Sequence, residues 1–161
     1  MRSSLRSYRW PVRSLLPFTS KRTGVGMPNG PHIYRPLQPE RMRLWMPHQG
    51  GSNRSWLHAA LGARIQPVYD SPSGRWLIAR PHFTVLVDAL LDRFEQVDVS
   101  AEFSATQKCD TRCRNAEGDD CDCSCLGEHH GGGLWGGGWF QVGETTLIRP
   151  DVRLRHMRLT T

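Results

Sequence analysis

All five cysteines and two of the seven histidines fall within the 22 residues from Cys109 to His130, in the pattern C-x3-C-x7-C-x-C-x-C-x3-H-H. Thiolates bind zinc and iron strongly, and four of them complete a tetrahedral shell. Between the outermost ligands only Ala116 and Leu126 are apolar. Such a loop cannot bury enough surface to offset its own ordering entropy, so a metal or disulfides must hold it. In the zinc reading, four of Cys109, Cys113, Cys121, Cys123, Cys125 and His130 ligate one ion. If the C-x-C-x-C run is extended, its three thiols share one face, and Cys121 and Cys125 are favoured over Cys123 because one tetrahedral ion has no need of all three. An iron–sulfur cluster would use the cysteines alone, but their spacing matches neither common ferredoxin run. Disulfides need an oxidising compartment and leave an odd cysteine. Free thiols in a disordered loop complete the alternatives.

Asp110, Glu117, Asp119, Asp120, Asp122 and Glu128 add negative charge to the same stretch. That suits a cation and repels a phosphate backbone, so the loop reads as a structural metal loop, not as a nucleic-acid-reading finger. Enzyme signatures are scarce: there is no H-x-E followed by P-C-x-x-C, no H-E-x-x-H, no Walker loop and no G-x-S-x-G. Gly131–Gly138 lacks the lysine that a phosphate loop requires. Glu128-His129-His130 can be drawn as an acid/base pair beside an open zinc position, but one histidine ligand, His130, with an exposed neighbour is the simpler reading.

The elements that must carry this loop are short. Arg43–Met46 reads as a strand stopped by Pro47. Ser52 or Asn53 caps a helix whose Trp56, Leu57, Ala60 and Leu61 share one face, and Gly62 ends it. Arg64–Tyr69 and Arg75–Ala79 flank the turn Asp70–Gly74 as a hairpin. Phe83, Leu86, Val87, Leu90, Leu91 and Phe94 recur at helical spacing, which predicts a helix over 81–94. Val97, Val99, Ala101 and Phe103 alternate as a further strand. Trp45, Trp56 and Trp76 are expected as core anchors in preference to base-stacking platforms. Trp139–Val142 and Thr145–Ile148 are expected to pair as a hairpin across Gly143-Glu144, with 152–159 as an edge strand or tail.

The net charge is +6 and is unevenly placed. Residues 1–43 hold nine basic groups against Glu40, whereas the rest of the chain is slightly acidic. Residues 1–41 are rich in proline and show no sustained period, so they read as a disordered basic arm. Arg2, Arg6, Arg9, Arg13, Lys21 and Arg22 are its candidate phosphate contacts. A leader of this kind is also what a gene start placed too early would produce, with Met42 as the first residue of the folded product. No run approaches the roughly 18 consecutive apolar residues of a membrane span, so no membrane partner is expected and the default location is cytoplasmic.

Two stretches are familiar. Leu44–Phe83, with Leu61-Gly62-Ala63-Arg64, Tyr69-Asp70 and Arg75-Trp76, resembles a short module of unknown function found beside primase-like, anti-restriction and helicase modules of phages and plasmids, and it is loosely similar to the HARP module of annealing helicases. Cys109–Gly131, with Cys121-Asp122-Cys123-Ser124-Cys125, Gly127 and His130-Gly131, is similar to a cysteine-rich insert in small proteins of actinobacterial phages and mobile elements. This resemblance implies a setting but supplies no catalytic residues.

The expectation is therefore an α+β fold. A disordered arm (1–41) precedes a small β-α-β-β-α-β domain (42–104), a Cys/His metal-binding loop (105–133), and a glycine-rich segment with a C-terminal β-hairpin (134–161). The expected function is that of a non-enzymatic accessory protein with a structural zinc loop that contacts nucleic acid. The alternatives are a module that binds a host or phage protein, and a metal-dependent hydrolase or nuclease.

Overall fold

The computed structural model describes residues 30–115, 121–125 and 139–161. Its frame is one eight-stranded sheet in the order β3-β4-β2-β1-β5-β8-β6, with β7 also paired to β8. The strands are β1 (His32–Arg35), β2 (Met42–Trp45), β3 (Val68–Asp70), β4 (Arg75–Ile78), β5 (Gln96–Ser104), β6 (Trp139–Gln141), β7 (Thr146–Arg149) and β8 (Val152–Thr160). Only β1 and β5 pair in parallel; the remaining ladders are antiparallel.

The expected run of strand, helix, strand, strand, helix, strand is present as β2, α1 (Asn53–Leu61), β3, β4, α2 (Phe83–Phe94) and β5. Ser52 caps α1 by accepting the Ser55 N–H, and Gly62 ends it at φ 98°. A 3₁₀ turn, Arg80–His82, leads into α2 with Pro81 in its opening turn. The apolar stripe of α2 is buried as its spacing demands: Phe83, Leu86, Val87 and Leu90 are at most 1% exposed. Alternate residues of the strands meet it, namely Ile33, Met42, Leu44, Ile78, Val97, Val99, Ala101, Phe103 and Met157.

Three expectations need correction. First, the basic arm does not extend to residue 41. Residues 32–35 form β1, which lies between β2 and β5 near the centre of the sheet, and Arg35 is fully buried. A chain beginning at Met42 would lack this strand. Second, β6 and β7 do not pair with each other. Gln141 bonds the Gly143 carbonyl and Thr145 Oγ1, turning the chain away, and both strands lie along β8. Pro150-Asp151 connects β7 to β8. Strand β8 itself is interior, paired with β5 over nine residues. Third, Trp45 is not a core anchor. Met42 and Leu44 point inward, so the period-two alternation sends Trp45 to the opposite face, where it is 37% exposed. Trp56 and Trp76 do pack against the core.

Candidate metal centre

The cysteine segment leaves the sheet at the end of β5. Ser104 Oγ accepts the N–H groups of Thr106 and Gln107, turning the chain. Asp110 then caps the single-turn helix α3 (Thr111–Arg114) by accepting the Cys113 N–H at 3.0 Å. The returning stretch is tied to the outgoing one by Ser104 N–H to the Asp122 carbonyl, 2.7 Å, and Ser124 N–H to the Gln107 carbonyl, 2.9 Å. Together these bonds fold 104–113 and 121–125 against each other.

The five thiols consequently converge. The Sγ atoms of Cys109, Cys113, Cys123 and Cys125 all lie within 4.8 Å of one another, close enough to hold a metal ion. Cys121 belongs to the same cluster, 3.8 Å from both Cys113 and Cys125 and 3.4 Å from Cys123. Cys113 and Cys125 are 3.9 Å apart, and Cys123 stands 3.3 Å from Cys113 and 2.9 Å from Cys125. Cys121 and Cys123 are buried in the apolar core. Burial, then contact with neighbouring thiols, pushes the Cys113 thiol up, and burial also raises Cys121 and takes Cys123 up to about 12. Thiols so placed ionise only if a cation takes the place of their protons.

What fastens the cluster to the fold is Asp122, between Cys121 and Cys123. Arg35 donates to its Oδ1 at 2.8 Å, and Arg80 bonds the same oxygen. Arg35 also donates to the carbonyls of Cys121 and Glu102, with its guanidinium 5.0 Å from the centre of the Phe103 ring and 5.7 Å from that of Phe83. A fully buried arginine is costly unless it is paired and hydrogen-bonded; here the aromatic faces add to a carboxylate and two carbonyls.

All five expected cysteine ligands are thus brought together. His130 and Glu128-His129 lie outside the described residues, as do Arg2, Arg6, Arg9, Arg13, Lys21 and Arg22. Sequence reasoning missed Arg35 and Arg80, and took Asp122 only as part of the loop's charge, not as their partner. Arg35 was counted as arm, although the apolar Ile33 beside a tyrosine in His32–Arg35 hinted at a strand. Among the described residues no helix is long and apolar enough to cross a membrane. No family model, no curated protein and no solved structure matches the chain.

Proposed function

We propose that the thiols hold one zinc ion as a structural staple in a non-enzymatic accessory protein that contacts nucleic acid. The observation that carries the metal assignment is a spacing. Cys113, Cys121 and Cys125 form a triangle with edges of 3.8, 3.8 and 3.9 Å. Four thiolates about 2.3 Å from a single zinc stand about 3.8 Å apart. Cys109 and Cys123 then compete for the fourth corner. A cubane iron–sulfur cluster binds its thiolates through separate irons, a poor match to sulfurs gathered within 4.8 Å. When bound, zinc supplies a redox-inert anchor, and an all-sulfur shell leaves no open position for water, the arrangement of structural sites. Four thiolates around a dication carry net negative charge, which Arg35 and Arg80, two cations on the one carboxylate of Asp122, help to offset. Elemental analysis should find about one zinc per chain. Serine at Cys113, Cys121 or Cys125 should abolish stoichiometric binding, whereas only one of Cys109→Ser and Cys123→Ser should do so. Retention of metal by Cys113→Ser would overturn the assignment.

Nucleic-acid contact is supported by Arg2, Arg6, Arg9, Arg13, Lys21 and Arg22, which all precede the first acidic residue, Glu40. The phage or mobile-element setting rests on the sequence resemblance. If about four of these cations neutralise phosphates together, duplex affinity should fall with salt at a log–log slope of about −4. Glutamine at all six positions should flatten that slope. An unchanged slope would remove the arm from the interaction.

A further inference from the structure

A tetrahedral zinc takes four thiolates, and the chain brings five together. The distances say which one is in excess. Cys113, Cys121 and Cys125 stand at the spacing of ligands to a single ion, 3.8 to 3.9 Å apart. Cys123 lies 3.3 Å from Cys113, 3.4 Å from Cys121 and 2.9 Å from Cys125. All three separations fall short of the roughly 3.8 Å between two thiolates on one zinc. Cys109, within 4.8 Å of Cys113 and Cys125, is then the fourth ligand. Cys123 is the sulfur left outside the shell, and Cys125 is the ligand it stands against. Their separation is the shortest of the six among Cys113, Cys121, Cys123 and Cys125. The backbone suits the pair as well. Two residues of extended chain span about 7 Å, beyond the roughly 4.4–6.8 Å between Cα atoms that a disulfide accepts. A turn through Ser124 and Cys125 shortens that span.

We infer that Cys125 and Cys123 are a site of reversible two-electron oxidation by a peroxide, and that closing their disulfide releases the zinc. The inference rests on the zinc reading and gives its excess thiol a role.

The two sulfurs divide the work by access. Cys125 is partly exposed, whereas Cys123 is 3% exposed. The thiolate is the nucleophile, and zinc holds Cys125 in that form. The Cys125 sulfur attacks one oxygen of hydrogen peroxide, and the O–O bond breaks. Hydroxide leaves, takes a proton from solvent, and Cys125 becomes a sulfenic acid. The Cys123 sulfur then attacks the Cys125 sulfur, the S–O bond breaks, and the thiol proton departs with the oxygen as water. Two electrons pass from the sulfur pair to peroxide, and one disulfide remains. Zinc is left with three thiolates of its four. Asp122 stays tied to Arg35 and Arg80, which keeps the segment beside the sheet and lets reduction rebuild the shell.

The test treats the full-length, zinc-loaded chain with hydrogen peroxide, follows zinc release with a chromophoric chelator, and maps the product by peptide mass spectrometry. The wild type should lose two hydrogens per chain, join Cys123 to Cys125, and release its zinc in proportion. A dithiol reductant with added zinc should restore nearly all of the binding. Cys123→Ser, and Cys123→Ala beside it, should bind zinc as the wild type does. After peroxide they should carry added oxygens on Cys125, and the dithiol should recover less than about a tenth of their zinc binding. A wild-type disulfide at another pair, or none, overturns the proposal without recourse to any variant. Variants that oxidise and recover like the wild type overturn it as well, because another thiol then does what is assigned to Cys123. If a folded Cys123→Ser holds no zinc before oxidant is added, Cys123 is a ligand; the proposal falls and the zinc reading survives. If the wild type binds no zinc, both fall.

Discussion

Beneath α2 the sheet is covered by Phe83, Leu86, Val87 and Leu90; a few residues further along the same core, Cys121 and Cys123 are buried as deeply. The first region is held by apolar area removed from water, about 25 cal/mol per Å². Around the second, charge and sulfur take over: five thiols, one aspartate and two arginines fill a space that the chain between Cys109 and Cys125 has little apolar surface to fill. Arg35 belongs to both regions. Its guanidinium lies within about 6 Å of the centres of two phenylalanine rings of the core, at 5.7 and 5.0 Å, and donates to the backbone and carboxylate of the cysteine segment. The contrast shows how a sheet can carry a polar, metal-held appendage without a separate core: one buried cation reads the appendage's position and the sheet fixes the cation.

The sharpest way to break this arrangement is at that cation. Arg35→Ala strips the buried carbonyls of Cys121 and Glu102 of their donor and leaves Asp122 with Arg80 alone, so it should cost on the order of 3 kcal/mol. It should also weaken metal binding, because Asp122 no longer anchors the residues on either side of it. Arg35→Lys should rescue little, since an ammonium lacks the planar fork of donors that serves a carboxylate and two carbonyls at once. Leu90→Ala is the control from the other region. It should cost about 2–5 kcal/mol by leaving a cavity under α2 while metal affinity stays unchanged. Urea melts paired with a competitive chelator titration measure both quantities. Equal loss of metal affinity in the two variants would mean that Arg35 acts only through global stability.

The two regions were also unequally legible in the sequence. The stripe of α2 repeats at helical spacing over three turns, so its burial could be read directly. The alternation of Val97, Val99, Ala101 and Phe103 identified β5 by the same logic. Strand β1 escaped because it has four residues in a proline- and arginine-rich stretch and is defined by partners far along the chain: Arg35 meets Asp122 across 87 positions. Strand β8 read as an edge because Arg153, Arg155, His156 and Arg158 suggest solvent, yet Arg158 is paired by Asp98 and His156 by Ser100. For the cysteines, residue type and density identified the ligand pool. Spacing alone could not choose among five, since the fold brings all of them together.

The smallest expected effect concerns the sheet face opposite the buried α2 stripe, where His32, Ser100 and His156 form a chain. His32 Nε2 lies 2.8 Å from Ser100 Oγ, which lies 2.7 Å from His156 Nδ1. One hydroxyl proton serves only one of the two nitrogens, so one imidazole must donate to Ser100 and the other accept from it, a pattern that needs an unprotonated nitrogen on the accepting ring. Burial, then the nearby charge of Arg75, lowers His32 from 6.5 to about 4 against the opposing pull of Asp98, and burial lowers His156 as well. Between these values the unfolded chain takes up a proton at His32 that the folded chain refuses, so stability is full above pH 6.5 and falls as pH drops toward 4. The loss should be on the order of 2 kcal/mol for His32. Thiolate–metal bonds also weaken in acid, so the measurement is the difference between wild type and His32→Gln in urea melts at pH 7.5, 5.5 and 4.5. The metal contribution is common to both proteins and cancels. The variant should be the less stable protein at pH 7.5, and the gap should narrow steadily in acid. A gap that stays constant across the three values would show that His32 keeps an ordinary affinity for protons and that the Ser100 chain does not depend on its neutral form.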